Sequence, residues 1–508
     1  MLATIPSATV VGASGQPVTV EVHLGAQLPA YRIVGSPDAT CRESRDRVRA
    51  AMLSSGFGWP DVSITVNLAP SSERKVGAGL DLAIAVGVLV ASQQLAADAA
   101  AGFGFVGELG LDGSLRGVPG VAPMVAVLPD VVAVVPRVSS AEAHVAARRG
   151  VRVGGSLAEV VAALAGDDVW PDDTGGEGVV DDAPVCDLAD VRGQPVARWA
   201  LEIAAAGGHH LLMVGPPGSG KTMLAQRLPG LLPVLDPTDS LVATMVHSAA
   251  GAGLPPGGFV TRPPLRSPHH TSSVVSLVGG GSHTLRPGEI SLAHAGVLFL
   301  DELGEFAAQA IDALREPLEQ GVIRIARAHA HAVLPARFQL VAATNPCPCG
   351  GGGPGSCECD DTARARYLRR MSGPLLDRFD LRVPVDRPSV DELLDPVGAT
   401  AAGEPTAAVA ARVAAARAVA IERDGALNAA LSGDALERVA PLSRSARQRL
   451  HDVLSEARLT GRGYHRVRRV ARTIADLAGE ADRPIDEHHV DAALALRVDL
   501  RATRGRAA

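Results

Sequence analysis

The chain has 508 residues, of which 47% are hydrophobic and 20% charged, and its formal net charge is −7. Those values point to a globular, soluble protein with room for roughly two to four domains, and they argue against a surface coated in nucleic-acid-binding cations. Aromatic residues make up only 3%, so the cores must be assembled from Ala, Val and Leu. The opening MLATIPSATV lacks a basic stretch followed by an apolar core, so no secretory signal is expected. Pro123, Pro129 and Asp130 interrupt the apolar run around Val121–Val135, so no bilayer span is expected either, and the cytoplasm is the expected location. Six cysteines do not suggest a disulfide scaffold, because four of them lie within thirteen residues.

Residues 1–165 read as one α/β domain. Val18-Thr19-Val20-Glu21-Val22 alternates as a strand does, and Ile64-Thr65-Val66-Asn67-Leu68 is a second strand. Asp38 to Leu53 reads as a helix with Arg42, Arg45 and Arg49 on one side, and Asp81 to Ala91 as an apolar helix. Phe105 to Leu109, followed by Gly113 and Arg116, reads as a hairpin, and 131–135 as a buried strand. Residues 166–184 carry seven acids and no Lys or Arg, with frequent Gly and Pro, which predicts a flexible, self-repelling acidic linker.

From residue 185 the pattern changes. The helix 196–206 leads into the apolar run Leu211-Leu212-Met213-Val214, then Gly215-Pro216-Pro217-Gly218-Ser219-Gly220-Lys221-Thr222, then Met223-Leu224-Ala225. Strand, glycine-rich turn and helix with the spacing G-x-x-x-x-G-K-T predict a phosphate-binding loop. The glycines let several backbone N–H groups face one anion, aided by the helix N-terminus. Lys221 would reach the β- and γ-phosphates of ATP and Thr222 would hold Mg²⁺. The chain has only two lysines, Lys75 and Lys221, and a compact ammonium at a phosphate is a role that Arg fills poorly.

The segment 240–295 is rich in Gly, Pro and His. His269 and His270 adjoin, but spacing places no third metal ligand beside them, so a structural or DNA-facing loop is the preferred reading. Val297-Leu298-Phe299-Leu300 is a buried parallel strand that ends in Asp301-Glu302, about eighty residues after the phosphate loop. Asp301 would bind Mg²⁺ through water, and Glu302 would orient or deprotonate the attacking water. Residues 338–345 form another buried strand, ending at Asn345. Between the two, 321–336 reads as a hairpin carrying Arg324, Arg327, His329 and His331. Cys347-Pro348-Cys349 and Cys357-Glu358-Cys359 are two C-x-C pairs across a Gly/Pro loop, which can fold into one tetrahedral thiolate site for structural Zn²⁺. The spacing differs from the usual C-x₂-C knuckle, and a reduced Cys-rich loop is the alternative. From about residue 388 the chain is Ala-rich and helical, with nine arginines between Arg444 and Arg472, most of which read as a solvated face.

Ile33-Val34-Gly35-Ser36-Pro37-Asp38, Glu43-Ser44-Arg45-Asp46-Arg47-Val48, 64–70 and Asp81-Leu82-Ala83-Ile84-Ala85 resemble the Lon-protease-like domain that precedes the motor in the ComM/YifB branch of magnesium-chelatase-like ATPases. The resemblance extends over nearly the whole chain, including the stretch Asn345-Pro346-Cys347-Pro348-Cys349. It implies an α/β protein with a Lon-like domain at 1–165, the acidic linker 166–184, an AAA+ P-loop core at 185–387 and a helical lid at 388–508. It implies that 190–194 flanks the adenine and that Asn345 is the sensor that places the lytic water. Arg378, in Leu375-Leu376-Asp377-Arg378-Phe379-Asp380, becomes the arginine finger for a neighbouring subunit. Alignment of Arg469-Val470-Ala471-Arg472-Thr473 with the lid helix puts the second sensor at Arg462, with Arg466 as runner-up. The hairpin 321–336 would face a central pore and contact nucleic-acid phosphates. Together these imply a homo-oligomeric, hexameric ATPase ring that remodels DNA by branch migration or a helicase-like action, in recombination or natural transformation. An ATPase subunit of a metal-ion chelatase is one alternative, although such a subunit would lack the N-terminal domain. An ATP-dependent protease is another, opposed by the turn Gly77-Ala78-Gly79, which has no nucleophilic hydroxyl, and by the absence of any Lys between it and Lys221.

Overall fold

In the computed structural model, residues 1–72, 74–173, 186–281, 284–327, 330–351, 357, 359–371, 373–388, 403–456 and 459–498 are described. The chain begins with β1 (Leu2–Val11), β2 (Ser14–Gly25), β3 (Ala30–Val34) and β4 (Ser63–Ala69). They form a sheet in the order β1-β2-β4-β3, in which only the β3/β4 pair is parallel. Sequence alternation misses β1 because Ser7 and Thr9 are buried within it; their hydroxyls are satisfied by the carbonyls of Phe105 and Val76. The helix Ala39–Ser54 starts where the Asp38 carboxylate accepts from the Cys41 N–H at 2.7 Å. The helix Asp81–Ala91 is apolar around nearly its whole circumference and is correspondingly buried.

A second, parallel sheet holds β5 (Phe103–Phe105), β8 (Val132–Pro136) and β9 (Val151–Gly154), while β6 (Glu108–Leu109) and β7 (Leu115–Arg116) form the hairpin. Phe105 therefore belongs to a parallel strand and not to the hairpin expected from residue 105 onward. The acidic segment is also less free than its charge suggests. Trp170 packs against Phe103 with ring centroids 5.7 Å apart, and Asp173 bonds the Ser140 hydroxyl and the His144 imidazole. Residues 174–185 lie outside the described residues.

The central sheet is built from β10 (Leu211–Val214), β11 (Leu265–Arg266), β14 (Val297–Leu300), β17 (Gln339–Thr344) and β18 (Leu381–Pro384), all parallel, in the order β11-β14-β17-β10-β18. Two small antiparallel ribbons are separate from it, β12 (Gly279–Gly280) with β13 (Arg286–Pro287) and β15 (Val322–Arg327) with β16 (Ala330–Pro335). Leu211, Leu212, Val297–Leu300 and Leu340–Ala343 are at most 1% exposed, as expected of strands covered on both faces. Parallel pairing brings the C-terminal ends of β10, β14 and β17 to one edge. The N-terminal sheet touches this core at the β1–β2 turn. Gly12 takes a left-handed φ of 64° there, its N–H donates to the Leu285 carbonyl at 3.0 Å, and an added Cβ would lie 2.9 Å from that of Ala332.

The C-terminal part is helical: Thr406–Asp424, Gly433–Val439, Arg444–Ser455, Gly461–Leu477 and Glu487–Ala495. Val413, Val470 and Ala471 share one hydrophobic cluster with Leu211 and Val341 of the sheet. The solvated arginine face expected here is only part of what is found. Arg444 and Arg447 are exposed, but Arg468 and Arg472 are fully buried. Arg472 donates to Asp476, to the Glu480 carbonyl and to the Arg483 carbonyl; Arg468 donates to Glu437 and to the Ala440 carbonyl. Their apolar stems pack while every charged head finds an oxygen, which charge patterning alone does not reveal. Among the described residues, no helix is long and apolar enough to cross a membrane.

Candidate active site

The phosphate-loop sequence forms the turn between β10 and the helix Lys221–Leu231. Gly218 and Gly220 adopt left-handed φ values of 75° and 88°, and an added Cβ on Gly215 would lie 1.9 Å from the Val385 carbonyl oxygen. Lys221 is 8% exposed, and its Nζ donates to the Gly215 and Pro216 carbonyls at 2.7 Å each. Burial lowers its pKa, opposed by the charges of Asp301 and Glu302. A buried ammonium whose direct partners are uncharged fits an incoming phosphate.

Asp301 and Glu302 leave the end of β14. The Thr222 hydroxyl donates to Asp301 Oδ2 at 2.7 Å, so two hard oxygen ligands meet at one point, the donor set that suits Mg²⁺. Glu302 has a left-handed φ of 52° and donates its N–H to Asp301 Oδ1 at 2.9 Å. Asn345 follows β17, with its Oδ1 3.4 Å from Lys221 Nζ. Residues 217–223, Asp301, Glu302, Thr344 and Asn345 line one cavity of about 420 Å³. Two contacts at this site were not visible in the sequence. His270 Nδ1 lies 2.9 Å from Glu302 Oε2, and Tyr367 OH lies 3.1 Å from Thr344 Oγ1. No local spacing could have signalled either, since β11–β14 pairing and packing of the helix Asp361–Arg370 create them.

Arg378 and Arg462 lie elsewhere. With Arg466, Arg469, Asp377 and Glu319 they line a second cavity of about 270 Å³ that shares no residue with the first. Arg378 pairs with Glu319. Arg466 is engaged with the buried Asp380 at 2.6 Å and with the Arg378 carbonyl at 2.8 Å, whereas Arg462 is exposed. Burial alone would raise the Asp380 pKa; the His209 hydrogen bond and the charges of His209 and Arg466 reverse this and hold it far below the carboxylate range.

The Sγ atoms of Cys347, Cys349, Cys357 and Cys359 all lie within 4.8 Å of one another, with 3.4 Å between Cys347 and Cys349. These separations exceed the ~2.05 Å of a disulfide. They approach the ~3.8 Å edge of a tetrahedron with ~2.3 Å zinc–sulfur bonds. Arg324 on β15 pairs with Glu316 at 3.2 Å, and His331 is exposed; His329 and the Arg327 side chain lie outside the described residues.

Residues 187–393 match the family described as magnesium chelatase, subunit ChlI; residues 403–497 match its C-terminal region; and residues 20–135 match a further ChlI segment. Competence protein ComM of Haemophilus influenzae is 42% identical, covering 98% of this chain and 98% of that protein. The chain belongs to the ComM/YifB family of magnesium-chelatase-like AAA+ ATPases. YifB of Escherichia coli is 41% identical across 98% of the chain and 97% of its own length, and an uncharacterised Mycobacterium tuberculosis protein is 45% identical across 97% of both. As the ComM/YifB resemblance implied, a P-loop α/β core is joined to a helical C-terminal region.

Proposed function

We propose that this ComM/YifB-family protein hydrolyses ATP in a ring of like subunits, most simply a hexamer, and uses the turnover to remodel DNA. The convergence of Lys221, Thr222 with Asp301, Glu302 and Asn345 on one cavity carries the reading. The loop 215–222 wraps the phosphates, and Lys221 supplies the charge against them. Mg²⁺, held by Thr222 and Asp301, would neutralise phosphate charge. Glu302 accepts a proton from the attacking water, and Asn345 orients that water against the phosphate bound by Lys221.

Arg378 and Arg462 support the ring. They share a cavity apart from their own chain's phosphate loop; Arg378 is assigned to a neighbour's nucleotide as its arginine finger, and Arg462 is assigned as the second sensor. The four cysteines are assigned to structural Zn²⁺, on the close approach of four sulfur atoms. The division proposed is a Lon-like domain at 1–165, a linker at 166–184, the motor at 185–387 and a lid at 388–508. A peptidase role for the first has little support. Cys41 offers a thiol 3.1 Å from the Gly77 carbonyl, but burial and then Asp38 push its pKa well above the ordinary thiol range.

The DNA-remodelling step rests on a relative named for competence and on the arginines of the β15–β16 ribbon. The test is ATPase activity with and without a four-way DNA junction, in the parent and in Arg324→Ala/Arg327→Ala. We expect junction DNA to raise turnover, the increase to shrink with added salt, and the variant to lose the stimulation while keeping its basal rate. Indifference of the parent to any DNA, with stimulation by porphyrin and Mg²⁺ or by unfolded protein instead, would refute the DNA reading.

A further inference from the structure

We propose that Arg466 and Arg497, from the helical C-terminal region, are positioning residues for Arg378. They clamp the backbone turn that carries it, and so fix the base from which its guanidinium reaches a neighbouring subunit's nucleotide. This rests on the reading of Arg378 as the arginine finger. Three successive carbonyls of the turn accept from the two guanidinium groups. Arg466 Nη1 donates to the Arg378 carbonyl at 2.8 Å. Arg497 Nη1 donates to the Phe379 carbonyl at 2.9 Å and to the Asp380 carbonyl at 3.0 Å. Arg466 Nη1 also donates to Asp380 Oδ1 at 2.6 Å, so both of its hydrogens are used within the turn. Hydrogen bonds from charged donors are the stronger kind, and here they converge on the finger's own backbone and on the two residues after it.

Each clamp is itself anchored. Arg466 lies on the helix Gly461–Leu477, whose Thr473 hydroxyl is 2.8 Å from His209 Nε2, and His209 Nδ1 is 3.4 Å from Asp380 Oδ2. Arg497 follows the helix Glu487–Ala495 and runs beside β18. There the Arg382 N–H donates to the Leu496 carbonyl at 2.8 Å, and the Val498 N–H donates to the Arg382 carbonyl at 2.9 Å. The N–H groups of the turn are engaged as well: that of Arg378 with the Leu375 carbonyl at 2.8 Å, and those of Asp380 and Leu381 with the His210 carbonyl at 3.1 Å each. Phe379 and Asp380 are buried. The backbone at 378–380 is thus held from two directions, while the Arg378 side chain extends to Glu319. Neither Arg466 nor Arg497 lines the cavity of Lys221, so neither acts on its own chain's nucleotide. Both act through the placement of Arg378, and a misplacement of about 1 Å can cost about 100-fold in rate.

The test measures kcat and nucleotide Kd for Arg466→Ala, Arg466→Lys and Arg497→Met, alone and after co-assembly with Lys221→Ala or Arg378→Ala. Arg466→Ala strands the buried Asp380 carboxylate and can fail to fold; Arg497→Met leaves that carboxylate paired with Arg466 and then decides the matter. Arg466→Ala and Arg497→Met should each lower kcat by about 10- to 100-fold with Kd unchanged. The ammonium of Arg466→Lys can donate to the same two oxygens and should recover part of the loss. Mixing with Lys221→Ala should restore activity, because the clamp variant keeps an intact phosphate loop and borrows a well-placed finger. Mixing with Arg378→Ala should restore none, because both partners then lack a working finger. A defect in the variant's own phosphate loop gives the reverse pattern, and general unfolding gives recovery in neither mixture. Either of those patterns, or parental kcat in Arg497→Met, overturns the proposal alone when Arg378→Ala is inactive. Parental turnover by Arg378→Ala removes the finger reading and this proposal together.

Discussion

Asp476 shows what a single residue carries in this molecule. It is fully buried, and it receives Arg423 at 2.8 and 2.9 Å, Arg472 at 3.0 Å and the Asn428 amide at 2.8 Å. Asp476→Ala strands a buried guanidinium, so urea unfolding should show a loss of about 3–5 kcal/mol, while a loss near that of an exposed ion pair would mean water reaches Arg472. His294 gives a pH-dependent case. It is 3% exposed, and burial, aided by Arg337, lowers its pKa from 6.5 to about 4. The folded state excludes this proton, so the contribution is fully present above pH 6.5 and lost as pH falls towards 4. His294→Gln cannot titrate, so the stability gap between variant and parent should shift in the variant's favour, by up to about 1.4 kcal/mol per pH unit across that window. A gap independent of pH would contradict the assignment. The two lysines divide along the same line. The placement of Lys221 at the glycine-rich turn was legible in its motif, whereas Lys75, buried and bonded to the Pro70 carbonyl, carries no local signal.

At the scale of elements, the motifs fixed by backbone geometry were the legible ones. The strand–turn–helix at 211–231, the strand ending at Asp301 and the ribbon before Asn345 lie where hydrophobic runs and glycines put them. What was hidden arises between elements. His270 reaches Glu302 because β11 pairs with β14, and Arg468 and Arg472 are buried because the helix Gly461–Leu477 is covered by its neighbours. The cysteine loop is an element whose sequence left two readings open. Cys347 follows Asn345 by two residues, and an added Cβ on Gly350 would lie 2.7 Å from Pro217 Cδ, so this loop abuts the phosphate loop. Elemental analysis of protein purified without chelator should find close to one Zn²⁺ per chain. Removal of that metal should lower the melting temperature, since a structural site contributes folding energy directly. Metal-free protein with unchanged melting would leave a plain reduced loop.

At the scale of the whole molecule, the proposed ring treats the nucleotide cavity of one subunit and the arginine cavity of its neighbour as two halves of one site. The first holds Lys221, Asp301, Glu302 and Asn345; the second holds Arg378 and Arg462, with no shared lining. An arginine supplied to the transition state is worth roughly 10³–10⁵ in rate in other phosphoryl-transfer systems. Arg378→Ala should therefore keep each subunit's ATP affinity while losing nearly all hydrolysis, and Lys221→Ala should lose activity through its own phosphate loop. The most direct measurement mixes the two inactive variants and follows ATPase activity after co-assembly. Some interfaces then pair an intact Lys221 from one subunit with an intact Arg378 from its neighbour, and the account predicts that activity returns. Co-assembled mixtures that stay inactive, together with Arg378→Ala turning over at the parental rate as a monomer, would contradict it.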